Sequence, residues 1–371
     1  MDLIATEGID MGASGEERKY RIVANELRDN ILAGRYAPGE AFPSVKMLCR
    51  RFGISHLTAA KVIGTLKGMG LVKTRNGVGT FVVRRMKFIG LIVPMLRHVE
   101  IFPPIIRELS RLAQNEGVGV DFVDMSAEDA FGEADAAVVK TARRMAESSL
   151  SGVIFHPVDF GCKAARINSE VKGVFEKAGV PLVLLDADSS APDGCPKLDF
   201  VGVDNREIGE AVGRHVIDQG ARSVASVTRS ESGNVRLRLD GLLSAISSKR
   251  GVRFAGRHLW QDDNDQAVLE RKWNARLPDA IVCSSDLVAA NVLKLLKKIG
   301  KRCPQDVLVA GVNDVDLATL VSPPLTTVHQ PCKAIARTAF ETLLWRMANP
   351  DAETRRILVS SNLVVRESTT R

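Results

Sequence analysis

From residue 88 onward the sequence alternates short β-branched runs with longer stretches of helical periodicity. "FIGLIVP", "VGVDFVD", "SGVIFHP" and "VPLVLLD" are separated by "PPIIRELSRLAQNEG", "ADAAVVKTARRMAESS" and "INSEVKGVFEKAG". A second series opens at "DFVGVD", runs through "ARSVASV", "DAIVCSS" and "DVLVAGV", and closes with "CKAIARTAFETLLWRMAN". Such alternation restricts the chain to right-handed β-α-β units and mostly parallel sheets. About 280 residues of it divide into two lobes, with ligands held in the crevice beyond the carboxyl ends of the strands. The expected fold class is α/β.

The first quarter of the chain is different in charge. Residues 1–87 hold 15 Lys/Arg and 8 Asp/Glu, an excess of seven, whereas residues 88–371 hold 36 of each. The whole net charge of +7 therefore sits in the N-terminal part. Within it, Ala41–Lys87 carries ten basic residues and no acid. Solvated helical faces mix signs, so an acid-free stretch of this length points to a polyanionic partner, whose condensed counterions each Lys or Arg displaces.

The pattern inside that stretch names the partner's shape. "KYRIVANELRDNILAGRY" places Ile22, Leu27, Ile31 and Leu32 on one helical face and stops near Gly34. "APGEAFPS" breaks it, and Ser44 is placed to cap a second helix, "VKMLCRRF", with Val45, Leu48 and Cys49 inward. "GIS" turns the chain and Ser55 is placed to cap a third helix, with Ala59, Val62, Ile63 and Leu66 inward and His56, Thr58, Lys61 and Thr65 opposite. Helix, tight turn, helix sets the second helix into a major groove with its N-terminal residues nearest the base edges.

"VKTRNGVGTFV" (Val72–Val82) then reads as a β-hairpin, with Asn76-Gly77 as a two-residue turn. Gly79 allows close approach of the backbone to another surface, and Lys73 and Arg75 are placed to reach phosphate. A nucleotide cradle needs its glycines between strand and helix in G-x-G-x-x-G or G-x-x-x-x-G-K-[ST] spacing, which this chain lacks. The hairpin is a wing behind the helix-turn-helix.

Over residues 18–83 the sequence resembles the winged helix-turn-helix of the gluconate-repressor (GntR) family, through P-G-x-x-x-P-S, G-I-S at the turn and G-x-G-T-F-V in the wing. The resemblance implies that Ser44, Lys46, Arg50, Ser55, His56, Thr58, Lys61, Lys73, Arg75, Gly77 and Gly79 form the DNA-binding set. Two departures bear on which bases are read: His56 and Ala60 stand where family members often have arginine.

Residues 88–368 resemble the effector domain of the lactose/galactose-repressor (LacI/GalR) family, which shares its fold with periplasmic sugar-binding proteins. "IGLIVP", "VGVDNREIGEAVGRHVIDQGARSVA", "DAIVCSSDLVAANVLKLLKKIG", "SPPLTTVHQP" and "LVVRES" carry the match. A gluconate-type winged helix on such a domain is the pairing seen in arabinose-responsive repressors; the hinge helix of typical lactose-type repressors is absent here. The resemblance implies a ligand site in which Asp186 accepts sugar hydroxyls and Arg236 in "VRLRLDG" forks onto hydroxyls or a carboxylate. Ser285 stands where the family usually has Asn, Asn313 where many members have Asp, and Cys332 where an aromatic residue often closes the pocket. These departures imply an unusual ligand or fewer charged acceptors. Trp260 reads as a stacking platform for a sugar face or as a packed tryptophan. Arg236 has an alternative partner in Asp240, one helical turn on, and Asp186 an alternative role as a strand-end turn residue. Asp286 reads as a helix N-cap. Arg97 and His98 belong either to the cleft or to a solvated loop.

Six cysteines without C-x-x-C spacing, six dispersed histidines and no H-E-x-x-H leave no metal, cofactor or catalytic set to assign. The longest apolar run, "FIGLIVPML", is half a membrane span, and the N-terminal residues lack signal-peptide character. The expected organisation is a flexible tail at 1–17, a winged helix-turn-helix at 18–83, a connector at 84–87 and a two-lobed ligand-binding and dimerisation domain, with a periplasmic-binding-protein-like fold, at 88–371. The expected protein is a cytoplasmic homodimeric transcription regulator, most simply a repressor. Its partners are a pseudo-palindromic double-stranded DNA operator and a small sugar or polyol, and no membrane. An α/β enzyme with a regulatory DNA-binding domain and an architectural DNA binder without effector stand as alternatives.

Overall fold

The computed structural model describes residues 15–370 apart from 33–34, 76, 84–86, 95–99, 126–133, 149, 160 and 189–197. Most of the expected tail and connector, together with Arg97 and His98, lie outside the described residues. Two compact units divide at Lys87/Phe88, apart from Gly117–Gly119, which group with the first.

The first unit comprises α1 (Gly15–Leu32), α2 (Val45–Phe52), α3 (His56–Gly68), β1 (Val72–Arg75) and β2 (Gly79–Val82). Gly53 takes φ of 60°, the left-handed conformation that ends α2, and returns its N–H to the Cys49 carbonyl. Leu27, Leu48, Val62 and Leu66 meet in a core that the wing closes with Val72 and Val82. The inward face of α1 consists of Val23, Ala24, Leu27 and Ile31. Ile22, expected there, is 58% exposed, because it lies about 140° around the helix axis from Leu27, off the buried stripe. The hairpin pairs Arg75 with Gly79. Three residues, 76–78, thus lie between them, one more than the expected turn, and position 76 is outside the described residues.

The second unit has two six-stranded sheets. Lobe 1 takes β3 (Lys87–Pro94), α4 (Phe102–Asn115), β4 (Val118–Met125), α5 (Ala134–Glu147), β5 (Gly152–Phe155), α6 (Ala164–Lys177), β6 (Leu182–Leu185) and β7 (Asp199–Gly202). Lobe 2 takes α7 (Asn205–Asp218), β8 (Ser223–Thr228), α8 (Gly233–Ser247), β9 (Arg253–Leu259), α9 (Asp263–Ala275), β10 (Ala280–Cys283), α10 (Asp286–Lys298), β11 (Leu308–Asn313), α11 (Leu317–Leu320) and β12 (Thr326–His329). The central strands β5, β6, β10 and β11 are buried throughout, as parallel strands covered on both faces must be.

The lobes are not consecutive halves of the sequence. β7, "DFVG", completes the first sheet instead of opening the second series. After β12 the chain returns to lobe 1, where α12 (Cys332–Ala348) packs on α4 and β5, and β13 (Arg356–Leu358) pairs in parallel with β7. β14 (Asn362–Val364) then joins β12 antiparallel in lobe 2. Arg346 of α12 holds this return in place with a buried bidentate bond to Asp199, at 2.7 and 3.0 Å. The lobes are thus connected three times, at residues 203–204, 330–331 and 359–361. Such a triple crossing permits a hinge rotation and resists separation.

Candidate functional site

Between the lobes lies a cavity of about 700 Å³, within the size range of small-molecule sites. Lobe 1 contributes Glu100, His156, Asp159 and Asp186 at the carboxyl ends of its strands; lobe 2 contributes Asn234, Arg238, Ser285 and Asn313; Gln330 sits on a crossing segment. Asp186 follows β6 with φ of 64°, and Asn313 ends β11 with φ of 121°. Non-glycine residues are strained in this region, and such strain concentrates at sites where a side chain must be aimed.

Polar satisfaction is incomplete at two buried atoms. The Asp186 Oδ2 accepts from Asn234 Nδ2 at 3.0 Å, while its Oδ1 has no partner. Gln330 donates Nε2 to Asn313 Oδ1 at 2.8 Å, while its Oε1 has none. These side chains are 4% and 1% exposed, and buried acceptors without donors are costly. Both side chains line the cleft. Burial, the largest cause, raises the Asp186 pKa against the fields of His156 and Arg238. Burial likewise raises that of Glu100, against its bond from Asn313 Nδ2 at 2.8 Å. This last bond joins the lobes, as do Asn234 to Asp186 and the Gly233 N–H to the Asp159 carbonyl at 3.2 Å.

The arginine of the cleft is Arg238, not Arg236. Arg236 is exposed and absent from the lining, and Asp240 pairs with Arg206 at 3.6 Å. Residues two apart on a helix lie about 200° apart around its axis, so only one arginine of "RLR" can face the cleft. Arg238 donates Nε to Asn205 Oδ1 at 2.7 Å and a terminal nitrogen to the Ser284 carbonyl at 2.8 Å. Glycines seat it: a Cβ at Gly209 would fall 1.9 Å from the Arg238 carbonyl oxygen, and one at Gly241 would fall 1.9 Å from that of Arg206. Only bare backbones let α7 and α8 pack this closely.

Trp260 packs against the core of lobe 2, and its neighbour Gln261 lines the cleft instead. Ser285, not Asp286, caps α10, accepting from the Val288 N–H at 3.4 Å. Asp286 is fully buried, accepting from Thr327 Oγ1 at 2.5 Å and the Val315 N–H at 3.0 Å. Burial pushes its pKa up to about 7. Cys332 begins α12, is half-buried, and has its thiol pushed up to about 11 by burial. Sequence reasoning missed Glu100, His156, Asp159, Asn234, Arg238 and Gln330. Of these, His156 stood inside the quoted "SGVIFHP", Arg238 inside "VRLRLDG" and Gln330 inside "SPPLTTVHQP".

On the N-terminal unit, Lys46 and Arg50 of α2, His56 and Lys61 of α3, Lys73 and Arg75 of β1, and both Gly77 and Gly79 are exposed. Ser44 and Ser55 cap their helices, accepting from Met47 N at 3.4 Å and Thr58 N at 3.2 Å. Thr58 departs from the expectation. It is 8% exposed and its hydroxyl bonds Ser55 Oγ at 2.8 Å, so it holds the helix start and presents nothing outward. Lys61 lies 4.5 Å from the centre of the Tyr20 ring, which orients its ammonium.

A basic winged helix-turn-helix joined to a two-lobed domain with a polar inter-lobe cleft defines the class of one-chain regulators that couple a DNA-binding head to a ligand sensor. Residues 19–82 match the family "Bacterial regulatory proteins, gntR family", and residues 214–369 match "Periplasmic binding protein-like domain". The chain is 30% identical over 199 residues to the "HTH-type transcriptional repressor PurR" of Photobacterium profundum, spanning 52% of this chain and 58% of that one. It is 25% identical over 338 residues to the "Arabinose metabolism transcriptional repressor" of Halalkalibacterium halodurans, spanning 85% of each. Among solved structures, a complex of the transcriptional regulator CelR with cellobiose superposes with a TM-score of 0.63 at 21% identity, covering 88% of this chain and all of that one. The regulator CcpA of Lactococcus lactis gives 0.63 at 19%, covering 77% and 100%. No helix among the described residues is long and apolar enough to cross a membrane.

Proposed function

We propose that the protein is a cytoplasmic, homodimeric transcription repressor whose operator affinity is controlled by a sugar or polyol bound between the lobes. The observation that carries the sensor is the pair of buried acceptors without donors, Asp186 Oδ1 and Gln330 Oε1, on side chains that line a roomy polar cleft. A polyhydroxylated ligand supplies donors to both, and its own oxygens accept from Arg238 and Asn313. Relatives named for arabinose, ribose and cellobiose support this ligand class. The acid-free stretch Ala41–Lys87 of the head supports the operator as partner, read by two winged helices across a two-fold axis. The ligand acts to the extent that it binds open and closed lobes differently. Relatives named as repressors support a regulator rather than an enzyme.

The test is a thermal-shift screen of the full chain against mono- and disaccharides, acidic sugars and sugar phosphates, paired with duplex-DNA retention in dilute buffer. One sugar is expected to raise the melting temperature and to change operator affinity. Failure of every small molecule to do either would leave an architectural DNA binder; failure to retain DNA in dilute buffer would refute the regulator reading.

A further inference from the structure

The most exposed large apolar side chain among the described residues is Leu57, 81% accessible, the second residue of α3. Isolated exposed leucines are ordinary, but the surroundings of this one are specific. Ala59, Val62 and Leu66 form the buried face of α3. At 100° per residue, Leu57, Ala60, Lys61 and Gly64 share the opposite face, and all four are exposed. Ala60 has only a methyl group, and a Cβ added at Gly64 would meet nothing within 4 Å. The helix backbone is therefore free to approach a partner closely, with a single isobutyl group projecting at its leading end.

Charge identifies that partner. Leu57 stands beside exposed His56 and one turn before exposed Lys61, within the stretch Ala41–Lys87 that has ten basic residues and no acid. An apolar protein partner would not call for that field; a nucleic acid does. In a major groove the first residues of the second helix lie nearest the base edges, and the one apolar group displayed there is the thymine 5-methyl. α3 contains no arginine, so the bidentate arginine–guanine contact is not available from this helix.

We propose that Leu57, with Ala60 beside it, reads a thymine 5-methyl group in each operator half-site. This inference rests on the DNA-binding reading of the head given above. Half-site choice is then set by apolar contact, while Lys46, Arg50, Lys61 and the wing supply sequence-independent grip on phosphate.

The test uses the full-length protein and duplexes selected from a random pool. In the recovered site each thymine is replaced in turn by deoxyuridine, which removes only the methyl. One position per half-site is expected to weaken binding about fourfold, equivalent to ~0.8 kcal/mol for one buried methyl-sized group. Leu57→Ala is expected to bind the thymine and uracil duplexes equally, with an unchanged salt dependence. Uracil insensitivity of the wild-type protein, or a methyl effect that persists in Leu57→Ala, would overturn the proposal. So would a change of oligomeric state in Leu57→Ala without methyl dependence, which would assign the side chain to a protein contact. Recovery of no duplex at all would instead defeat the DNA-binding reading itself, and the proposal with it.

Discussion

Arg238→Ala separates the roles of two arginines that differ by two positions. The guanidinium holds Asn205 Oδ1 and the Ser284 carbonyl at 2.7 and 2.8 Å, and its charge faces Asp186, Asp159, Asp286 and Glu100. Hydrogen bonds from a charged donor contribute about 1.5–3 kcal/mol each. Water entering the cleft re-satisfies part of what is lost, so the expected destabilisation is about 2–4 kcal/mol. At about 2–3 °C per kcal/mol for a domain of this size, that lowers the melting temperature by about 4–12 °C. Arg236→Ala, at an exposed position, is expected to stay within about 0.5 kcal/mol of wild type. The penalty for Arg238→Ala also depends on pH. Asp186 already has a raised pKa in the fold, so its contribution is fully present below its ordinary value and is lost as pH rises through the folded value. Removing Arg238 takes away a field that lowers that pKa, which deepens the loss. The gap between wild type and variant thus keeps a pH-independent part from the bonds to Asn205 and Ser284 and widens from acid to neutral pH. Thermal unfolding across this range, with operator binding and sugar response measured alongside, decides the matter. Operator binding is expected to survive and the sugar response to vanish. A pH-independent gap, or equal losses in the two alanine variants, would refute the reasoning.

Asp286 offers a second pH signature. Its folded pKa of about 7 stands above the ordinary 3.8, so its stabilisation is complete below about 4 and lost as pH rises to about 7. Asp286→Asn cannot ionise and is expected to flatten the stability profile by up to about 1.4 kcal/mol per pH unit in that window; parallel profiles from chemical denaturation would contradict this. Lys61→Ala is expected to weaken operator binding and to reduce the salt slope by about 0.9 per winged helix, leaving the sugar-induced thermal shift unchanged. An unaltered salt slope would remove Lys61 from the phosphate contacts.

Much of the N-terminal unit was legible in the sequence because its signals are local. A cap is satisfied within three residues, so Ser44 and Ser55 could be assigned from position alone. The stripe of Ala59, Val62 and Leu66 follows from the period of one helix. Thr58 misled because composition places a hydroxyl outward, whereas at this position it bonds the capping serine. The choice between Arg236 and Arg238 was also local and was missed: buried Gly241 and Leu242 lie three and four residues beyond Arg238, which puts that arginine on the inward face of α8.

By itself the sequence determined most of the strands and helices, though not β9, α9 or β12 to β14, and it determined where the positive charge is concentrated and that the larger unit is built on parallel sheets. Those properties depend on neighbours within a few residues. Only the tertiary structure decided which lobe each segment joins, since α12 and β13 return to lobe 1 through contacts between residues about 150 or more positions apart, such as Arg346 with Asp199. It also decided the cleft. Asp186, Asn234, Asn313, Gln330 and Glu100 are far apart along the chain and become one site only when two sheets present the carboxyl ends of their strands to each other. Whether a buried oxygen is left without a donor is a property of that packing, and no local pattern of residues encodes it.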